Sequence, residues 1–184
     1  MNRPLADALA VRIAEGDVEA VAEAYEEHHG AVRAFSRRLV GDEAAAEDLV
    51  HEVFFTLPSA IRRFRHDSTL RTFLISIAVN HARHHIRSAS RRRAALARFS
   101  EHPPPAHPPT PEEDMERKRL AQALSRALDA LPLDQRVAFV LCEVEERSSR
   151  EVSEIVDAPE ATVRTRLFNA RRKLRELLSE EAFQ

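Results

Sequence analysis

The chain has 184 residues, 43% hydrophobic and 32% charged, which suits one mid-sized globular domain or two small ones and excludes a fully disordered chain. A single cysteine, Cys142, excludes internal disulfides, multi-cysteine zinc and iron–sulfur centres, and the three glycines, Gly16, Gly30 and Gly41, are too far apart for a phosphate-cradling loop. The net charge of −2 conceals strong segregation: residues 15–27 carry six acids and no base, residues 42–52 five acids and no Lys or Arg, and Arg62 to Arg93 nine arginines against one acid, Asp67.

No run reaches the roughly 18 apolar residues of a membrane-spanning helix, and MNRPLADALA lacks both a basic start and an apolar signal core, so a cytoplasmic protein without membrane insertion is expected. Leu9 and Ile13, then Val21, Ala24, Tyr25 and His28, predict one or two short helices broken near Gly16 and Asp17. Ala31 to Val40 continues as a helix, stopped at Gly41, where a left-handed cap is expected. Asp42 is placed to cap the next, which runs on Ala46, Leu49, Val50, Val53 and Leu57 and is closed by Pro58 and Ser59. After a short turn holding Ile61 and Phe64, a long helix is expected from Leu70 to about Ser90. Leu70, Phe73, Leu74, Ile77, Ala78, His81 and Ile86 face inward, and Arg71, Arg83 and Arg87 outward.

Glu101 to Pro111 holds six prolines in eleven residues and is read as an extended tether between two helical modules. Beyond it, Glu112 to Leu131 reads as a helix on Leu120, Leu124, Ala127, Leu128 and Leu131, broken by Pro132. A helix Leu133 to Glu145 follows on Val137, Val140, Leu141 and Val144. Then come a short helix Ser149 to Val156, a tight turn at Asp157, Ala158 and Pro159, and a basic helix from Ala161 to about Leu178. The last two helices and their turn describe a helix-turn-helix. The fold expected is all-α: a module over 1–96, a Pro-rich linker over 97–114 and a module over 115–184.

Val163, Leu167, Ala170 and Leu174 place the last helix's apolar stripe, leaving Arg164, Thr165, Phe168, Asn169, Arg171, Arg172 and Arg175 outside. Thr162 is placed to cap the helix start and, with Arg164, to lie nearest the base edges. Arginine bonds guanine O6 and N7 as a fork, and Asn169 suits adenine. The farther bases, Arg172, Lys173 and Arg175, suit phosphates or protein. A basic surface helix of an ordinary bundle is the competing reading.

Two stretches, ALPLDQRVAFVLCEVEERSSREVSEIVDAPEATVRTRLFNARRKLRELL and AEDLVHEVFFTL with RRFRHDSTLRTFLISIAVNHARHHIR, resemble regions 4 and 2 of bacterial extracytoplasmic function sigma factors. With the linker, the resemblance covers about residues 15–178. It implies a factor that binds core RNA polymerase and directs it to promoters. Glu47, Asp48, His51 and Glu52 would meet the β′ clamp helices, with a further contact to the β flap. Phe64, Arg71, Asn80, Arg83 and Arg87 would read and melt the −10 element, for which a cationic track and stacking faces are needed; Phe73 is read rather as core. Thr162, Arg164, Thr165, Phe168, Asn169, Arg171 and Arg172 would read the duplex −35 element. The resemblance also implies control by an anti-sigma factor. The chain departs from the pattern at His51 (usually Gln), Phe73 (usually Trp) and Ala161 (usually Gly).

No enzyme activity, cofactor or metal is expected. His81, His84 and His85 have chelating spacing on one helix, but Arg83 and Arg87 beside them would repel a cation. Cys142, beside Leu141 and Val144, reads as core. A helix-turn-helix regulator acting at an operator remains the alternative, though it would need neither a polymerase-binding helix nor two modules.

Overall fold

The computed structural model describes residues 8–64, 68–96 and 123–182, with side chains to residue 85 in the second segment and to 179 in the third. Among these residues the fold is helical, with no strand. The expected linker 97–114 and the beginning of the helix predicted from Glu112 lie outside the described residues.

Helix α1 (Ala8–Ala14) buries Ala10 and Ile13 and ends before Gly16, whose φ of 90° is left-handed. Asp17 then caps α2 (Val18–Val40), its carboxylate accepting from the backbone N–H of Glu19 at 2.9 Å and of Ala20 at 3.3 Å. The break expected near Gly16 and Asp17 thus separates α1 from α2, and α2 runs on through Gly30. Its buried residues Ala20, Ala24, Val32, Phe35 and Leu39 keep one helical phase across the glycine, and that stripe outweighs the ~1 kcal/mol a helical glycine costs. Gly41 ends α2 in the predicted left-handed cap, with φ 70° and its N–H donated to Arg37 O at 2.9 Å. The left-handed conformation favours glycine there, and a Cβ would stand 2.6 Å from an Asp129 carboxylate oxygen, which would have to shift.

Asp42 caps α3 (Glu43–Ala60) as predicted, accepting from the Ala45 N–H at 2.8 Å. The helix does not stop at Pro58 but carries it within the last turn. Burial of Leu57 and Ala60 on either side holds that turn, and Ser59 Oγ donates to the Thr56 carbonyl at 2.9 Å. A 3-10 turn, Ile61–Arg63, leads on, and α4 (Leu70–Leu96) follows. Of the predicted stripe, Leu70, Leu74, Ile77 and Ala78 are buried and Phe73 and His81 half-buried, while the side chain of Ile86 lies outside the described set; α4 also buries Ile75, Val79 and Ala82, because it is packed on more than one side: against α2 and α3, and against the second half of the chain.

In that second half, residues 123–129 form α5, followed by α6 (Leu133–Phe139), a π turn (Val140–Val144), α7 (Ser149–Val156) and α8 (Glu160–Ala182). The π turn replaces the end of the helix predicted over Leu133 to Glu145. It adds a residue to the turn and shifts the phase after it, leaving Val144 exposed rather than inward. Leu124 is likewise exposed, along a groove between α2 and α5. Ala127, Leu131, Ala170 and Leu174 make a small core between α5 and α8.

The two halves, expected as modules on a tether, pack together. One buried cluster runs from Phe35, Leu39 and Leu74 to Val137, Leu141, Val152 and Ile155. Arg136, 6% exposed, crosses from α6 and donates to the Leu39 carbonyl, and to the Asp129 carboxylate at 2.7 Å. Burial lowers its pKa, and the Asp129 carboxylate works against that. Phe35 is fully buried, and Phe35→Ala is expected to cost about 3–5 kcal/mol, read as a lower denaturation midpoint in urea.

Candidate protein and nucleic-acid interfaces

The turn before α8 is built locally. Ser148 Oγ accepts from the Glu151 N–H at 3.3 Å and the Glu151 carboxylate accepts from the Ser148 N–H at 2.9 Å, a reciprocal capping box at the start of α7. These hydrogen bonds from Ser148, backbone first, hold the Glu151 carboxyl below the usual range. A lowered pKa means that the stabilisation is present above the ordinary carboxylate pKa and is lost as pH falls through the lowered value. Ser148→Ala is expected to cost about 1 kcal/mol at neutral pH, with the Glu151 part of the difference vanishing in acid. Thermal melting of both proteins by circular dichroism across pH checks this. At the other end of α7, Asp157 takes the left-handed conformation with φ 50° and turns the chain into α8.

Val163, Leu167, Ala170 and Leu174 seat α8 as predicted. The side chain of Arg164 is 64% exposed, Phe168 is 60% exposed, and Thr165, Arg171 and Arg172 are also exposed, whereas Thr162 and Asn169 are half-buried. Thr162 is not the cap it was expected to be: α8 already begins at Glu160, and the Thr162 N–H donates to the Pro159 carbonyl at 2.8 Å inside the first turn. Arg164 pairs with Glu160 at 3.0 Å, one turn back, and Arg171 pairs with Glu143 of the π turn. The outer face is thus basic, with one aromatic ring standing out.

Two of the residues expected to read a single strand, Phe64 and Asn80, line a cleft of about 660 Å³ between the halves. Its lining includes Phe64, Phe73 and Asn80, with Ser153 and Pro159 across it. Phe64 is buried, not an open stacking face, with its ring 5.2 Å from that of half-buried Phe73. Asn80 is exposed and accepts from Arg83 Nη1 at 3.4 Å. Sequence reasoning missed the rest of its ridge. Thr72 and Ser76 of α4, with Ser68 just before the helix, precede Asn80 at intervals of four, a polar line that the spacing alone could have revealed. Arg71 and Arg83 also lie on α4, where Arg71 pairs with Glu145 at 2.9 Å and Arg83 with Asp134 at 3.2 Å. The backbone at Arg87 is helical, and its side chain lies outside the described set.

On α3 the proposed polymerase residues share the face opposite the buried stripe. Asp48 and His51 are exposed, Glu47 pairs with Arg33, and Glu52 lies 3.1 Å from His81 Nδ1. Phe55, 89% exposed, extends this face by one turn. It too was missed, although its spacing from Asp48 and His51 puts it there. Among the described residues, no group of three or more His, Cys, Asp or Glu could hold a metal ion, and His81 Nε2 is 3.0 Å from Thr56 Oγ1. Cys142 is half-buried, its thiol pushed up by burial and by Glu143. No helix among the described residues is long and apolar enough to cross a membrane.

An acidic helix face in one half and a basic helix-turn-helix in the other define a two-part helical DNA-binding protein, and known families agree with that division. Sigma-70 region 2 matches residues 24–92, and Sigma-70, region 4 matches residues 121–174. The chain is 33% identical to the RNA polymerase sigma-H factor of Pseudomonas aeruginosa over 141 residues, 73% of either chain. It is 34% identical to the ECF RNA polymerase sigma-E factor of Escherichia coli (strain K12) over 131 residues, 67% of this chain and 69% of that one. It is 31% identical to the ECF RNA polymerase sigma factor SigE of Mycolicibacterium smegmatis over 156 residues, 85% of this chain but only 60% of the relative's length. Among solved structures, the sigma factor RpoE in complex with the anti-sigma factor NepR from Bartonella quintana matches with a TM-score of 0.67 at 25% identity, covering 88% of this chain and 98% of that one. CnrH in complex with the cytosolic domain of CnrY matches at 0.64 and 25%, covering 94% and 96%. The chain belongs to the ECF RNA polymerase sigma factors.

Proposed function

We propose that this protein binds core RNA polymerase and directs it to specific promoters, acting in the cytoplasm as an initiation factor with no catalysis of its own. Residues 1–96 form the region 2 domain, 97–114 the linker and 115–184 the region 4 domain. Glu47, Asp48, His51, Glu52 and Phe55 form the surface for the β′ clamp helices, and region 4 meets the β flap. Arg164, Thr165, Phe168, Asn169, Arg171 and Arg172, with Thr162, read the duplex −35 element. Arg71, Asn80, Arg83 and Arg87, with the rings of Phe64 and Phe73 behind them, hold the melted −10 strand.

The observation that carries this reading is the pairing, in one chain, of an exposed acidic α3 face with an exposed basic α8 face. An acidic face is unsuited to DNA and suited to protein, and an arginine-rich recognition helix is the reverse. The solved relatives RpoE and CnrH are held by NepR and by the cytosolic domain of CnrY, which supports an anti-sigma partner for this chain as well. A gel shift tests the function. The protein alone is expected to bind promoter duplex weakly, and tightly once core polymerase is added. Tight binding without polymerase would favour the operator-binding regulator.

A further inference from the structure

Arg164, on the outer face of α8, is already held by a neighbour on its own helix. Its Nη1 donates to Glu160 Oε1 at 3.0 Å, one turn back, and among the described residues neither side chain has a second ion pair. Glu160 opens α8, where the positive end of the helix dipole favours a carboxylate and keeps it in the first turn. The two side chains are 64% and 42% exposed, so the pair stands in solvent on the side that a duplex would meet.

Little else in these turns offers donors to a base edge. Thr165 Oγ1 donates back to the Ala161 carbonyl at 3.0 Å, Thr162 is half-buried, and Arg166 is turned away onto Asp134 at 2.9 Å. A guanidinium carries its N–H donors in a rigid fork, and with one of them spent on Glu160 the rest suffice for guanine O6 and N7. The carboxylate also acts on DNA directly. It repels phosphate oxygens, and it restrains an arginine that would otherwise swing onto them where no guanine is in reach. A free arginine binds any sequence through the backbone, whereas one tied to an acid gains only where a base supplies the acceptors. Arg172 is the contrast on the same helix: it is exposed and, among the described residues, has no ion pair.

We propose that Glu160 is a positioning residue for −35 recognition: its carboxylate aims the Arg164 guanidinium at a guanine and keeps it off the phosphates, which raises sequence discrimination while lowering affinity for DNA in general. This rests on the reading of α8 as the −35 helix and of Arg164 as its base contact.

The test is competition binding by holoenzyme, reconstituted from full-length Glu160→Gln protein and core polymerase, on promoter duplexes altered one position at a time in the −35 element. Glutamine keeps the shape of the side chain and removes the charge; Glu160→Ala removes the acceptor as well. Glu160→Gln is expected to lower discrimination at the position read by Arg164 by about 3- to 10-fold, chiefly because altered sequences bind more tightly. On those altered sequences the slope of log affinity against log salt is expected to steepen by about one, as the freed guanidinium takes a phosphate. Glu160→Ala is expected to do at least as much, with an unchanged melting temperature in both variants. Glu176→Gln makes the same charge change farther along α8, where Glu176 pairs with Lys173 at 3.7 Å, and is expected to leave discrimination and slope as they are. Full discrimination and an unchanged salt slope in both Glu160 variants, or the same changes in Glu176→Gln, would overturn the inference. Arg164→Ala is measured alongside. Promoter choice untouched by Arg164→Ala defeats the −35 assignment itself, whereas discrimination lost in Arg164→Ala and kept in both Glu160 variants defeats only the role of Glu160.

Discussion

Asp48→Arg is expected to abolish stable association with core RNA polymerase while leaving the fold intact. Asp48 is exposed on α3, and among the described residues no base pairs with it, unlike Glu47 with Arg33 and Glu52 with His81. Its replacement therefore removes little that holds the helix, whose buried residues Leu49, Val50 and Val53 point the other way. At a polymerase surface that accepts an acidic face, a reversed charge meets like charge, which costs several kcal/mol and lowers affinity by roughly a hundredfold or more. Co-purification with core polymerase reads the loss, and an unchanged melting temperature shows that the fold has survived. Retained binding by the folded variant would place the polymerase contact elsewhere than on α3.

Arg164→Ala is expected to lose discrimination at the −35 element with polymerase binding preserved. The side chain is 64% exposed in the first turns of α8, and its only described ion pair is with Glu160, a surface i,i+4 contact worth about 0.3–0.5 kcal/mol. Stability is thus hardly affected. A guanidinium fork on guanine O6 and N7 carries about 1–3 kcal/mol of discrimination, or roughly 5- to 150-fold between the correct base and a wrong one. Competition binding by holoenzyme on promoters altered one position at a time measures this. Arg172→Ala, farther along the helix, should instead weaken all sequences alike and reduce the slope of the salt dependence by about one. Promoter choice unaffected by Arg164→Ala would displace α8 as the reading helix.

Local chemistry was the legible part of this sequence. Asp17, Asp42 and Gly41 punctuate the helices where short-range preference says they should, and the α7 and α8 stripes follow from spacing alone. Features that depend on partners distant in sequence were not legible. The π turn that exposes Val144 has no composition of its own. The docking of the second half on α4 sets α7 across from the polar ridge and pairs Arg71 with Glu145 and Arg83 with Asp134; periodicity within α4 records only that the helix is apolar on several sides. The arginine that crosses between the halves, Arg136, sits in the sequence as one base among many. At the candidate site, the outer face of α8 was therefore readable, Phe55 and the ridge at intervals of four were readable but overlooked, and the pairing of Arg71 and Arg83 with acids of the other half emerges only from the assembled fold.

The central claim is tested most directly by mixing the folded, inhibitor-free protein with its cognate core RNA polymerase and carrying out run-off transcription on genomic fragments. A stable complex that initiates at discrete start sites, preceded by shared −35 and −10 sequences, is the predicted result. Failure to bind core, together with tight binding to duplex DNA alone, would contradict it.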